Sequence, residues 1–214
     1  MALSYRAIPN PVLFPPPPAG GAVVHDASSS SSGNGVSSLT FSHTCTGTNR
    51  ALVVGISATQ DVTNVTYAGV ALTFQRVDID ASYSFRTEIW AMAAPASGAN
   101  NVVITLAAAG DVVGGAESVT GAHQTTPFSG ATGATATSTT PSVTVTSAAN
   151  DMVVDTVMSL FALTVGAGQT QRWNTSIAGL FGAGSTEPGA ASVTMSWTMA
   201  SDSWAISAVN VKAA

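Results

Sequence analysis

Charge is what this sequence has least of. Asp, Glu, Lys and Arg make up 8% of its 214 residues, against about 25% in ordinary globular chains. A surface this poor in charge is weakly defended against association, which suits a part that lives inside an assembly. The basic residues (Arg6, Arg50, Arg76, Arg86, Arg172 and Lys212) are scattered, and the net charge is −5. Phosphate binding needs clustered Lys and Arg, so no nucleic-acid partner is expected. The single cysteine, Cys45, allows neither an intrachain disulfide nor a thiolate zinc site. No apolar run reaches the ~18 residues of a membrane helix. Residues 1–20 lack a basic n-region, and prolines interrupt their apolar stretch, so no secretory leader is expected. No repeat of 20–50 residues is plain.

What the chain has instead is strand chemistry. Ser and Thr, about a quarter of the residues, combine with Val, Ile and Gly to suit pleated strands and turns. In "VSSLTFSHTC", Leu39, Phe41, His43 and Cys45 alternate with Ser and Thr, the period of a half-buried strand. "RALVVGISA" (50–58) is a continuous apolar run, as a strand covered on both faces requires. Gly33-Asn34-Gly35 is a hairpin-turn signal, and Ala68-Gly69 a second turn. "YSFRTEIWAMAA" (83–94) is a strand ending at Pro95. Gly98-Ala99-Asn100 precedes another, with "GGAESVTGA" as its expected partner. Residues 124–141 are taken as a low-complexity connection. "SVTVTS", "DMVVDTVMSL", "SVTMSWTMA" and "DSWAISAVNVKA" follow as strands, the last changing phase at Ala208–Val209 as at a bulge. Short strands at this spacing predict an all-β, antiparallel two-sheet sandwich, jelly-roll-like, over residues 22–214.

Ahead of it, residues 1–21 form an extended arm. Pro15–Pro18 favour polyproline II. The arm carries Tyr5, Ile8, Leu13, Phe14, Pro15 and Pro16 as apolar anchors for a neighbouring protein. Disordered tails are usually poor in such residues.

A catalytic constellation is missing, and the expectation is that the chain is not an enzyme. No catalytic residue, cofactor site or metal site is assigned. His43 and Cys45 share one face, but no second cluster completes a metal site. Asp78 and Asp80, with Asp61, are too few for a dedicated Ca²⁺ loop, and they are expected at a solvated strand end. Nothing singles out two of Glu88, Glu117 and Glu187 as a glycosidase pair. "NVT" (64–66) and "NTS" (174–176) match glycosylation acceptors by chance. Trp197 and Trp204 alternate with apolar residues and are expected in the core. Trp173 sits in the polar stretch "GQTQRWNTS". It is either a loop residue folded onto the sandwich or an exposed contact for a glycan or an interface.

Several phrases together, "FSHTCTGTNRALVVGIS", "VTNVTYAGVALT", "EIWAM", "TVGAGQTQRWN" and "GAGSTEPGAASVTMSW", resemble a β-sandwich module that recurs in tailed-phage structural proteins and related bacterial surface proteins. The resemblance covers most of residues 36–200 and carries no catalytic residues. It implies a virion component or a displayed module, and the missing leader adds the expectation that the chain is made in a host cytoplasm. A module standing nearly alone behind a proline arm departs from the multi-domain pattern, and favours a compact capsid decoration (cement) protein over a long fibre. Its partners would be the major capsid protein and itself, as a homotrimer at local three-fold positions on the capsid exterior. The alternative is a glycan-binding module of a tail or cell surface, using Trp173 and the loop around Asp78 and Asp80.

Overall fold

The computed structural model describes residues 21–214. Tyr5, Ile8, Leu13, Phe14, Pro15 and Pro16 therefore lie outside the described residues. The described chain forms fifteen strands, paired antiparallel throughout: β1 (Val24–Cys45), β2 (Ala51–Ala58), β3 (Val62–Tyr67), β4 (Val70–Ala71), β5 (Thr73–Ile79), β6 (Arg86–Ala93), β7 (Gly98–Thr120), β8 (Phe128–Ser138), β9 (Ser142–Thr146), β10 (Met152–Ser159), β11 (Thr164–Val165), β12 (Thr170–Ile177), β13 (Leu180–Pro188), β14 (Ser192–Thr198) and β15 (Asp202–Val211). The expected all-β antiparallel sandwich is what forms, with a doubling that the two-sheet expectation did not contain.

The doubling begins in β1 and β7, which pair along their whole length but bend together. Their register breaks where Gly33 and Val36 face Val112 and Gly110. Along β7, Val102–Leu106 before the bend takes β3 at its other edge, and Val112–Val119 after it takes β2. One sheet therefore folds over itself. Leu39, Val65, Tyr67, Val102 and Ile104 from one part meet Leu52, Val54, Ile56 and Ala116 from the other in a buried core. The second half of the chain builds the same object from separate strands, a five-stranded sheet β12-β13-β10-β15-β8 and a three-stranded sheet β11-β14-β9. Val145, Val157, Met195, Trp197 and Trp204 fill the space between them.

The correspondence holds residue by residue. One row across the first half reads Ser30, Gly115, Gly55, Ile89, Arg76. The matching row in the second reads Gly133, Ser207, Thr156, Gly184, Trp173. A bulge falls at the same place in each outer strand, between Phe74 and Arg76 and between Gln171 and Trp173. Asn49 and Asn150, each two residues before the central strand, both adopt positive φ (51° and 73°). The β1-β7-β2-β6-β5 part of the first half's seven-stranded sheet packs face to face on the five-stranded sheet, and the contacts pair off about an internal two-fold, β1 on β12 as β8 on β5 and β7 on β13 as β15 on β6. Ala51, Val53, Ile89 and Val119 meet Met152, Val154, Val209 and Val211 there. This explains why every residue of β2 and β10 is buried, since both central sheets are covered on both faces. The outer β9 and β14 instead alternate, with Val143, Val145, Val193, Met195 and Trp197 inward.

Four local expectations are corrected. Gly33-Asn34-Gly35 makes no hairpin: the chain continues as β1, and the Asn34 side chain and Gly35 N–H donate to Asp111 at 2.8 and 2.9 Å. "GGAES" is the continuation of β7 rather than its partner. Residues 124–141 contain a true strand, β8, whose Gly, Ala and Thr side chains suit a closely packed position. The strand expected from Tyr83 starts at Arg86, because the Asp80 carboxylate accepts from the Ser82, Tyr83 and Phe85 N–H groups and holds them in a loop. The expected bulge in β15 is present, between Ala208 and Asn210.

Candidate functional site

The seam between the two halves holds several buried polar side chains, Glu117, Asp78 and Asp80 among them. Trp173 belongs to β12, not to a loop, and is 5% exposed. Its ring lies against Gly115 of β7, where an added Cβ would stand 2.1 Å from the indole. Its Nε1–H donates to Glu117 Oε1 at 3.1 Å. A side chain so enclosed offers no face to a sugar, and the exposed-contact expectation for Trp173 is corrected. The polar letters around it in the sequence are the outward-facing residues of an edge strand, Gln171, Asn174 and Ser176. Burial raises the Glu117 carboxyl well above its usual range, and the charge of Asp155 adds to the effect. Oε2 of Glu117 has no partner among the described residues.

At the other outer strand the seam is closed by charge. Arg76 forks onto Asp78 with two contacts of 2.7 Å, and the Ser207 hydroxyl donates to Asp78 at 2.6 Å. Gly133 is the only residue type that fits opposite, since an added Cβ would meet the Asp78 carboxylate at 1.8 Å. Asp80 is 1% exposed and accepts from the Ser203 hydroxyl at 2.7 Å. Both carboxylates are thus buried parts of the seam, which corrects the solvated strand end expected for them. Asp61 stays exposed and pairs with Arg86. Sequence spacing carried no sign that a strand over a hundred residues away would supply hydroxyl donors to Asp78 and Asp80.

The remaining acids and aromatics are structural partners. Asp155 points into the second core, where Trp197 Nε1 donates at 2.7 Å and Ser185 donates through both N–H and hydroxyl. Burial pushes its pKa up to about 7 against the pull of these donors. Glu88 receives the Trp90 indole at 2.8 Å, and burial raises its pKa. Glu187 is raised by burial too. His43 is buried with Nδ1 2.8 Å from the Ser29 hydroxyl, and burial lowers its pKa to about 4. Cys45 is buried beside it, and its thiol is raised by burial. Among the described residues no cluster of His, Cys, Asp or Glu could hold a metal ion.

The surface that stands out lies along β5, the last strand of its sheet. Phe74 and Ile79 are 46% and 45% exposed there. The matching positions of β12, counted through the shared bulge, are Gln171 and Ser176, both polar and exposed. Two copies of one strand have therefore diverged, one toward a guarded edge and the other toward an apolar one. Two hollows of about 450 and 280 Å³ adjoin β5, sharing Thr73, Ala91 and Ala93. Val70 (61% exposed) and Met92 line the first, and Pro127 and Phe128 the second. No Asp, Glu, Lys, Arg or His lines either one. The apolar letters of β5 were visible in the sequence; that they sit at an edge was not. No family model, curated protein or solved structure matches the chain.

Proposed function

We propose that this chain is a structural protein of a tailed-phage virion, a decoration or cement protein that bridges major-capsid subunits on the shell exterior. The observation that carries the proposal is the β5 edge. Beyond the bulge and the inward Arg76–Asp78 pair, the outer face of β5 shows Phe74 and Ile79 rather than the charge with which free proteins normally blunt an open edge. A neighbouring strand laid along β5 would satisfy the backbone and cover the two side chains, as in recognition by strand addition. The uncharged hollows extend the same surface. The arm, residues 1–21, supplies the second contact through Tyr5, Ile8, Leu13, Phe14, Pro15 and Pro16.

The mechanism is linkage. A protein that binds only the assembled shell stabilises that shell in proportion to its occupancy. Arm and edge together give avidity that neither has alone, and a homotrimer multiplies it. The role needs no catalysis, and Glu88, Glu117 and Asp155 are each committed to an indole donor in the fold. Deleting residues 1–21 should leave a folded sandwich that no longer occupies capsids in a sedimentation assay. Full occupancy by the truncated chain would remove the arm from the proposal. Full occupancy by a Phe74→Lys, Ile79→Lys variant would remove the edge.

A further inference from the structure

One end of the internal two-fold opens into a cleft of about 340 Å³. Its lining is paired by the duplication. Thr59 follows β2 as Leu160 follows β10, and Phe85 precedes β6 as Leu180 opens β13. The two walls have diverged. The first half contributes a hydroxyl, a carboxylate and an aromatic ring through Thr59, Asp111 and Phe85. The second contributes only Leu160, Ala178, Gly179 and Leu180. Small-ligand sites favour such junctions between units, with apolar walls and a few placed polar groups.

Two further features point to the ligand class. Tyr83 is 47% exposed and packs on Phe85, with ring centroids 5.8 Å apart, so the aromatic surface runs out of the cleft into solvent. Phe161, next to Leu160, is 43% exposed. Asp111 is fixed by Asn34 and Gly35, both donating to Oδ1. Among the described residues Oδ2 has no hydrogen-bond partner, so it can accept from a ligand hydroxyl. An apolar ring face beside a hydroxyl acceptor is complementary to a pyranose, which has a C–H face and a rim of donors. The carboxylate and the chain's net charge of −5 disfavour an anion.

We propose that this cleft binds a neutral saccharide, with a pyranose face against Phe85 and Tyr83 and a hydroxyl donating to Asp111. The cleft shares no lining residue with the hollows along β5, and the proposal stands whether or not the chain decorates a capsid.

The test is saturation-transfer NMR on the full chain with glucose, galactose, mannose, N-acetylglucosamine and their disaccharides. At least one should show transfer to its ring C–H protons. Tyr83→Ala should weaken that sugar roughly tenfold, the scale of a strong aromatic contact. Ala178→Phe, at an exposed turn, should block the cleft and abolish the signal. Phe74→Lys, on the distant edge, should leave it unchanged. Should Tyr83→Ala fail to fold, Ala178→Phe decides alone. Absence of transfer from every sugar in the panel overturns the proposal, and so does binding that Ala178→Phe leaves intact.

Discussion

Replacing Trp173 tests the seam most sharply. The indole is buried between the halves and donates to a carboxyl that is itself fully enclosed. Trp173→Ala should cost about 3–5 kcal/mol for the lost ring and the cavity it leaves. Glu117 Oε1 then loses its donor in a dry site, adding roughly 1–3 kcal/mol. Against a typical stability of about 5–15 kcal/mol, this is a large fraction. Trp173→Phe keeps most of the volume and should show chiefly the second effect. Pairing it with Glu117→Leu removes both polar partners, so the double variant should recover about 1 kcal/mol or more over Trp173→Phe alone. Equilibrium urea unfolding at constant m-value reads these three variants and the Glu117→Leu single. A Trp173→Ala cost below about 1 kcal/mol would refute the buried-wedge assignment. A double variant that merely sums the singles would refute the coupling between Trp173 and Glu117.

Other outcomes follow from the same structure. Asp155 has a folded pKa of about 7, raised from 3.8 by burial. The unfolded chain thus loses this proton first as pH rises, and stability should fall between about pH 4 and 7 by up to about 1.4 kcal/mol per pH unit. His43 works in the opposite sense, lowered from 6.5 to about 4, so its contribution is lost as pH falls through that window. The two slopes oppose each other between pH 4 and 6.5. The Asp155 slope should therefore be read as the difference between wild type and Asp155→Asn in pH-dependent urea midpoints, and a flat difference would contradict it. Gly133→Ala should destabilise by about 1–3 kcal/mol in the same assay, because its Cβ meets the Asp78 carboxylate. Residues 22–122 and 123–214, expressed as two chains, should associate into one complex on a sizing column. Two independent monomers would contradict the tight seam.

The strand alphabet of this chain was legible. Alternation placed Leu39, His43 and Trp197 facing inward, and the continuous run at 50–58 announced a doubly covered strand. The duplication was not legible, because its period of about a hundred residues exceeds the 20–50 residues typical of repeat arrays. Its halves share register rather than letters: Arg76 stands where Trp173 does, and Gly55 where Thr156 does. The surest trace was Asn49 and Asn150, each two residues ahead of an apolar strand. Trp173 is folded onto the sandwich, as one of its two readings had it, but its placement in a loop was wrong because an edge strand shows polar residues on its open side, which looks like a loop. Gly33-Asn34-Gly35 carried hairpin chemistry but was captured by Asp111, a partner 76 residues from Gly35. The asymmetry between β5 and β12 became visible only once the two halves could be laid on one another.

Hydrogen–deuterium exchange along Thr73–Ile79, compared between the free chain and purified virions, tests the proposed role most directly. The outward-facing amides of β5 should exchange quickly in the free chain and become protected on the particle. Equal exchange in both states would mean that nothing covers this edge, and would contradict the assembly role.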